Sequence, residues 1–380
     1  MNTNWKKWTL SAVRNMESAA MASTKQGVEM SISRRSFLGG AALAAAGLAA
    51  KDSAAAKSAK PGRVKFCVFA DIHYSPERFP NSTREWLERI IDHAKAEKCD
   101  FIIHCGDMTS YPVKYADYVN FYNDCGLPSY HVIGNHDDDG NEHSETLKAY
   151  RMECGHYFFD RNGFRFVIAD PNHIKFSDGR IVHYSNSNYL KRKDGDGSEI
   201  GVMPPEQLAW LKDTIENSPY PCIVLSHQSF ERPTGAACHN YREVQEIFNA
   251  ANRKSPGKVR MAINGHHHRD YIRTLDNVVY LDLNSASFDW IGSKRAHSKY
   301  PKEYIEKHGL KRKGNKIPFI SWDDPLHAIV TVDVDGTIKI DGMESKFAYG
   351  VTPESVGMFF DTCGRPTYAR VQSVDMKLKY

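Results

Sequence analysis

Five short stretches of this 380-residue chain hold side chains able to grip a metal ion. They are ADIHYS with Asp71 and His73, HCGDMTS with Asp107, VIGNHDDD with Asn135, His136 and Asp137, LSHQS with His227, and INGHHHRD with His266, His267 and His268. Imidazole, carboxylate and amide oxygen suit Zn²⁺, Mn²⁺ and iron, and no cysteine stands at these positions, which argues against a soft thiolate site. A lone histidine after a strand is ordinarily a hydrogen-bonded structural residue. Five polar strand ends in this order and context call for a shared chemical cause. Within the triplet, extended backbone sends neighbouring side chains to opposite sides, so His266 and His268 can face one site while His267 points elsewhere.

Each stretch follows an apolar run that reads as a buried strand: VKFCVF (64–69), FIIHC (101–105), SYHVI (129–133), CIVLSH (222–227) and KVRMAING (258–265). FRFVIAD (164–170) and NVVYLDL (277–283) add two more strands, and HAIVTVDVDGTIKIDG predicts a hairpin turning at Asp335-Gly336. Helical periodicity lies between the strands. STREWLERIIDHAKAEK opens with Ser82 three residues before Glu85, a capping-box pattern, and puts Trp86, Leu87, Ile90, Ile91 and Ala94 on one face. Further helices are predicted around 115–123, in PPEQLAWLKDTIENS with prolines at its start, and in NYREVQEIFNAANRK. The alternation is that of an α/β or layered α+β fold, whose sites gather where strands exit the sheet. Gly106, Gly134 and Gly265 sit where the chain must turn sharply and bring its backbone close to the site.

The ordered set Asp-x-His, Gly-Asp, Gly-Asn-His-Asp, His, Gly-His-x-His resembles the calcineurin-like metallophosphoesterase superfamily. The resemblance runs through the motifs and strand order from Val64 to Asp341. It implies a four-layer metallophosphatase fold, two packed mixed β-sheets flanked by helices, around two divalent metal ions (Mn, Fe or Zn). By that resemblance Asp71, His73 and His268 hold one metal, Asn135, His227 and His266 the other, and Asp107 bridges them. His136 would face the substrate phosphate and steady charge or protonate the leaving oxygen, with Asp137 orienting it. Asn135 would serve the substrate as well. Two aspartates against two divalent ions leave net positive charge, which suits an anionic phosphate, and the expected chemistry is in-line attack of metal-bound hydroxide on phosphorus without a phosphoenzyme.

The implied function is a phosphoesterase acting on a phosphodiester or phosphomonoester of a small molecule or nucleotide. His73, and Ser110 where a tyrosine ligand would stand, separate the chain from purple acid phosphatases, so an iron–tyrosinate centre is not expected. Two rival readings are a non-catalytic, metal-stabilised binding protein on the same fold and a secreted nuclease. A formal net charge of +4, from 50 basic and 46 acidic residues, disfavours the nuclease. The basic runs LKRK (190–193) and LKRKGNK (310–316) lack interleaved aromatics, and no stable nucleic-acid or membrane partner is expected. In the loop QSFERPTGAACHNYREVQ, Arg232, His239 and Asn240 are candidate substrate contacts, and Phe288 and Trp290 a candidate pocket wall.

The N-terminus reads separately. SISRRSFLGGAALAAAGLAA, with Arg34 and Arg35 before an alanine-rich stretch, resembles a twin-arginine export signal. The stretch falls short of the roughly 20 residues a spanning helix needs. The expectations are export by the twin-arginine machinery and a periplasmic or extracellular location. Residues 1–60 are then the extension and signal, 61–343 the phosphoesterase domain, and 344–380 a C-terminal extension packed on it. The eight cysteines show no C-x-x-C and no regular spacing; Cys67, Cys105 and Cys222 read as small apolar residues of strands.

Overall fold

A computed structural model describes residues 62–76, 84–193, 195–231, 237–307, 316–358 and 366–380. The export motif, Ser82 and Arg232 lie outside these residues. In chain order the strands begin with β1 (Arg63–Phe69), β2 (Phe101–Cys105), β3 (Ser129–Val132), β4 (Tyr157–Arg161), β5 (Phe164–Ile168), β6 (His173–Lys175), β7 (Ile181–His183) and β8 (Glu199–Ile200). They continue with β9 (Cys222–Ser226), β10 (Val259–Asn264), β11 (Tyr271–Leu275), β12 (Val278–Asp282), β13 (Phe288–Trp290), β14 (Phe319–Ser321), β15 (Ala328–Asp333), β16 (Thr337–Gly342) and β17 (Val374–Lys377). The helices are α1 (Arg84–Ala96), α2 (Ala116–Asn123), α3 (His143–Ala149), α4 (Pro205–Glu216), α5 (Tyr241–Lys254) and α6 (Lys302–Lys307).

Two six-stranded mixed sheets organise the chain, one in the order β17-β16-β15-β1-β2-β3 and the other β11-β12-β10-β9-β5-β4. Their facing side chains form one core that joins Val64, Phe66 and Phe101 of the first sheet to Phe166, Leu225 and Ile263 of the second. Phe101 stacks flat on Phe66 at 5.1 Å and meets Phe166 edge-on at 4.9 Å. Each such fully buried ring contributes roughly 1.5–3 kcal/mol by leaving water. On the outer face of the first sheet, Cys67, Phe69 and Ile102 pack against α1 and α2. On the outer face of the second, Val167, Val224 and Ala262 pack against α4 and α5. The expected four layers are therefore present, and α1 buries Trp86, Leu87, Ile90, Ile91 and Ala94.

Strands β1, β2 and β3 run parallel, as do β5, β9, β10 and β12. Strands buried on both faces tolerate no polar alternation, which is why FIIHC and CIVLS are buried throughout. Pairing of Val68 with Ile103 and of Cys105 with Val132 keeps the exits of β1, β2 and β3 level. Pairing of Asn264 with Ser226 does the same for β10 and β9. All five metal-capable stretches thus leave the two sheets at one edge. Among the described residues no helix is long and apolar enough to cross a membrane.

Several elements carry no clear sequence signal. A small sheet, β7-β6-β8, is inserted between β5 and α4, and β13 pairs with β14. The segment after Met343, assigned no element from sequence, supplies β17, which pairs with β16 along Thr337–Ile340 at the edge of the first sheet.

Candidate metal centre

Five of the seven candidate ligands sit in left-handed backbone: Asp71 (φ 54°), His73 (48°), Asp107 (60°), His266 (72°) and His268 (52°). Such conformations cost on the order of 1–3 kcal/mol each away from glycine and persist where the fold over-determines them. Here each turns a side chain back over the strand exits. The neighbouring glycines allow this crowding. A Cβ on Gly134 would collide with the Asp107 carboxylate, and one on Gly106 with the His227 ring.

The side chains converge in two groups. In the first, His73 Nε2 lies 3.1 Å from His268 Nε2, which lies 3.2 Å from Asp71 Oδ1. In the second, His227 Nε2 lies 3.1 Å from Asp107 Oδ2 and 3.1 Å from His266 Nδ1. Asp107 Oδ2 is also 3.8 Å from His73 Nε2, so one carboxylate oxygen reaches both groups.

The bonds on the far side of each ring decide which nitrogen faces inward. His268 Nδ1 donates to the Phe288 carbonyl at 2.7 Å, and His227 Nδ1 to the Cys105 carbonyl at 2.9 Å. Both rings then present the Nε2 lone pair to the cluster. Asp71 Oδ2 accepts the His266 backbone N–H and Asp107 Oδ1 accepts that of His136. Asp71 Oδ1 and Asn135 Oδ1 are buried without a hydrogen-bond partner. Lone pairs pointed at one another, with buried acceptors left unpaired, are the signature of a space shaped for cations.

Charge agrees with geometry. Burial lowers the basicity of His73 and His266, keeping them neutral, the form that ligates a metal. At His227 burial also lowers basicity, yet Asp107 and Asp71 overcome it and raise its pKa to about 10. The two carboxylates thus demand positive charge in the cluster. This donor set of carboxylate, imidazole and amide fits a pair of divalent ions.

His136 and Asp137 separate in role. The His136 ring lies 5.3 Å from that of His73, and its Nδ1 is 2.6 Å from Asp139 Oδ2. Burial lowers the His136 pKa, but Asp139 and Asp107 more than offset this and raise it to about 9. Asp137 does not orient His136, contrary to expectation. Its oxygens accept the backbone N–H groups of Asp107, Met108, Thr109 and Gly134 and the Tyr150 hydroxyl, leaving it no acceptor for the imidazole. It clamps the Asp107 turn to the Gly-Asn-His turn.

Two residues were missed from sequence. Asp139 receives the Tyr189 hydroxyl at 2.9 Å through its other oxygen, and Tyr189 accepts the Asn135 amide at 3.0 Å. Asp139 had a faint signal as the third acid of the DDD run, one helical turn beyond His136. Tyr189 had none, since it arrives from the turn between β7 and β8, preceded by left-handed Asn186 and Ser187.

The other candidates divide. His267 lies 3.3 Å from the Asp282 carboxylate and belongs to neither group. Phe288 walls the first group, its ring 5.2 Å from His73, with Trp290 edge-on behind it. His239 is exposed and paired with Glu199 at 3.4 Å, and Asn240 ties its loop to Met203; neither side chain reaches the cluster. A cavity of about 50 Å³ opens beside the second group, lined by Asn135, His266, Tyr184, Tyr189, Gln228 and Ile200 among others.

The solved structures similar to this fold include a dimetal phosphatase from Danio rerio, with a TM-score of 0.51 and 14% identity over 76% of this chain and 99% of that one. They also include a purple acid phosphatase from yellow lupin (Lupinus luteus) seeds, with a TM-score of 0.41 and 13% identity over 84% of this chain and 55% of that one. No curated protein matches the sequence. The model of the calcineurin-like phosphoesterases matches residues 64–270, from β1 to the end of the histidine triplet, and the chain belongs to that family.

Proposed function

We propose that the protein is a dinuclear-metal hydrolase of small phosphate esters. The observation that carries the reading is the pair of ligand groups joined by Asp107, with Asp71 Oδ1 buried and unpaired among them and Asn135, its Oδ1 likewise buried and unpaired, lining the cavity beside His266. Asp71, His73 and His268 would hold one ion, His227, His266 and Asn135 the other, and Asp107 both. When bound, two divalent ions supply Lewis acidity toward the phosphoryl oxygens and the attacking water.

The chain's own residues do the rest. Asp139 engages His136 Nδ1 and favours its protonated form, and His136 would present a hydrogen-bond donor to the phosphate and a proton to the departing oxygen. Asp139 fixes the ring through Nδ1, so Nε2 is the nitrogen that meets substrate. Tyr189 holds Asn135 with its amide oxygen free, and Phe288 excludes water from behind His73.

We further propose export by the twin-arginine route, from Arg34 and Arg35, to a periplasmic or extracellular site of action. That route carries folded proteins and suits an enzyme whose metals are loaded before export. A fusion of residues 1–60 to a reporter, with Arg34→Lys and Arg35→Lys as the control, reads this directly.

The activity is tested on protein purified with its metals, against a panel of phosphomonoesters and phosphodiesters. Two equivalents of metal and turnover that is lost in Asp107→Asn and His266→Ala are expected. Full activity after metal stripping, or in both variants, would overturn the reading.

A further inference from the structure

The two ligand groups are held from different parts of the chain. The second is held by residues beside it at the strand exits: His227 Nδ1 donates to the Cys105 carbonyl, and Asp107 Oδ1 accepts the His136 backbone N–H. The first leans on the segment that follows β12. There Ser285 Oγ donates to the Asp71 carbonyl at 2.7 Å, Ser287 Oγ donates to the Ile72 carbonyl at 3.0 Å, and the Phe288 carbonyl takes the Nδ1 proton of His268 at 2.7 Å. That segment lies beyond residues 64–270, the range the family model matches.

The C-terminal residues 366–372 tie into the same segment. Asn284 Nδ2 donates to the Tyr368 and Arg370 carbonyls at 2.7 and 3.1 Å, and Thr367 Oγ1 donates to Asp289 Oδ2 at 3.0 Å. The other Asp289 oxygen pairs with Arg269 Nη1, which also donates to the His268 carbonyl at 2.9 Å. Thr367, Asp289 and Arg269 are all buried. A buried ion pair offsets its lost hydration only where further hydrogen bonds fix its geometry. Each member has one here, Arg269 to the His268 carbonyl and Asp289 to Thr367. Beyond His268, Asp270 accepts Arg370 Nε at 2.9 Å and the Gln372 backbone N–H at 2.8 Å.

His268 is thus gripped through its ring, its own carbonyl and the loop that follows it. Its backbone is left-handed, with φ 52°, a conformation that persists only where the surroundings over-determine it. His266 shares that conformation, yet its backbone N–H is held by Asp71. We infer that Thr367 is a positioning residue for His268, acting through Asp289 and Arg269, so that the C-terminal segment holds the ion site of the first group and not that of the second. The inference rests on the reading of Asp71, His73 and His268 as ligands of one ion. Groups that orient a metal ligand from behind typically change metal affinity 10- to 100-fold, and Thr367, acting through two other side chains, is expected at about 10-fold.

Full-length protein stripped of metal is titrated with Mn²⁺ by calorimetry, and anomalous maps from crystals at limiting Mn²⁺ give the occupancy at each group. The parent should bind two ions. Thr367→Val, which keeps the side-chain shape and removes the hydroxyl, should bind the ion of the first group about 10-fold more weakly while occupancy at the second is unchanged. Thr367→Ser should restore the parent's affinity, and Asp289→Asn should show a larger loss at the same group. Should Asp289→Asn fail to fold, the two Thr367 variants decide. Unchanged affinity at both groups in Thr367→Val, or equal weakening at both, would overturn the inference, even with a lower thermal midpoint. A parent that binds no pair of ions would overturn it together with the ligand assignment. No step reads turnover, so an inactive parent that binds two ions and shows this split supports the inference while the phosphoesterase reading fails.

Discussion

Asp139 Oδ2 lies 2.6 Å from His136 Nδ1, while the carboxylate adjoining His136 in sequence, Asp137, is fully occupied by backbone donors and Tyr150. The two aspartates, alike in the sequence and two positions apart, therefore carry different tasks, and substitution should separate them.

Asp139→Asn removes the charge that favours the protonated form of His136 and holds its ring in register. Its kcat should fall about 10- to 100-fold, with metal content unchanged. The loss should be larger for esters with poor leaving groups, because these depend most on the donated proton. Tyr189→Phe should give a smaller loss in the same direction. A panel of aryl phosphates of graded leaving-group pKa measures both, and equal losses across the panel would refute proton donation.

Asp137→Ala should act on stability instead. It strands four backbone N–H groups and the Tyr150 hydroxyl inside the protein, at a cost of roughly 3 kcal/mol or more. Denaturant unfolding should show a lower midpoint for Asp137→Ala and an almost unchanged one for Asp139→Asn.

The histidine triplet should divide two against one. His266→Ala and His268→Ala should each lose a metal and nearly all activity. His267→Ala should keep both metals and most turnover, while losing about 1 kcal/mol of stability through its contact with Asp282. Elemental analysis beside unfolding curves reads both effects. Equal metal loss at all three positions would contradict the geometry.

Removal of the ions by a chelator should abolish turnover, and Mn²⁺ or Zn²⁺ should restore it. Iron-loaded protein should lack the visible band of an iron–tyrosinate bond. By the motif resemblance Ser110 stands where such a tyrosine would be expected, and its hydroxyl lies 3.4 Å from Asp139 Oδ2. A spectrum of the iron-reconstituted enzyme checks this.

Much of the architecture was legible in the sequence because burial on both faces writes an unbroken apolar run. FIIHC coincides with β2, and CIVLSH and KVRMAING differ from β9 and β10 only at their ends. The candidate ligands were legible for a related reason: each sits within a few residues of a strand end, so local order alone places it at the sheet edge. The small sheet β6–β8 was not, because its strands are two or three residues long and half exposed, too short for a period to register. Strand β17 is likewise four residues of alternating burial, stabilised by pairing with β16 far away in sequence.

The sequence by itself determined which side chains would stand at the strand exits and that their donor atoms suit hard or borderline metals, since both follow from residue type and hydrophobic period. Only the tertiary structure decided how they divide: which nitrogen of His227 and His268 faces inward, that Asp107 reaches both groups, that Asp139 rather than Asp137 holds His136, and that Tyr189 comes in from an inserted sheet. Apart from the three-residue step from His136 to Asp139, those outcomes depend on contacts between residues tens to hundreds of positions apart. No local pattern encodes such contacts, because they exist only once the two sheets have packed and their exits meet.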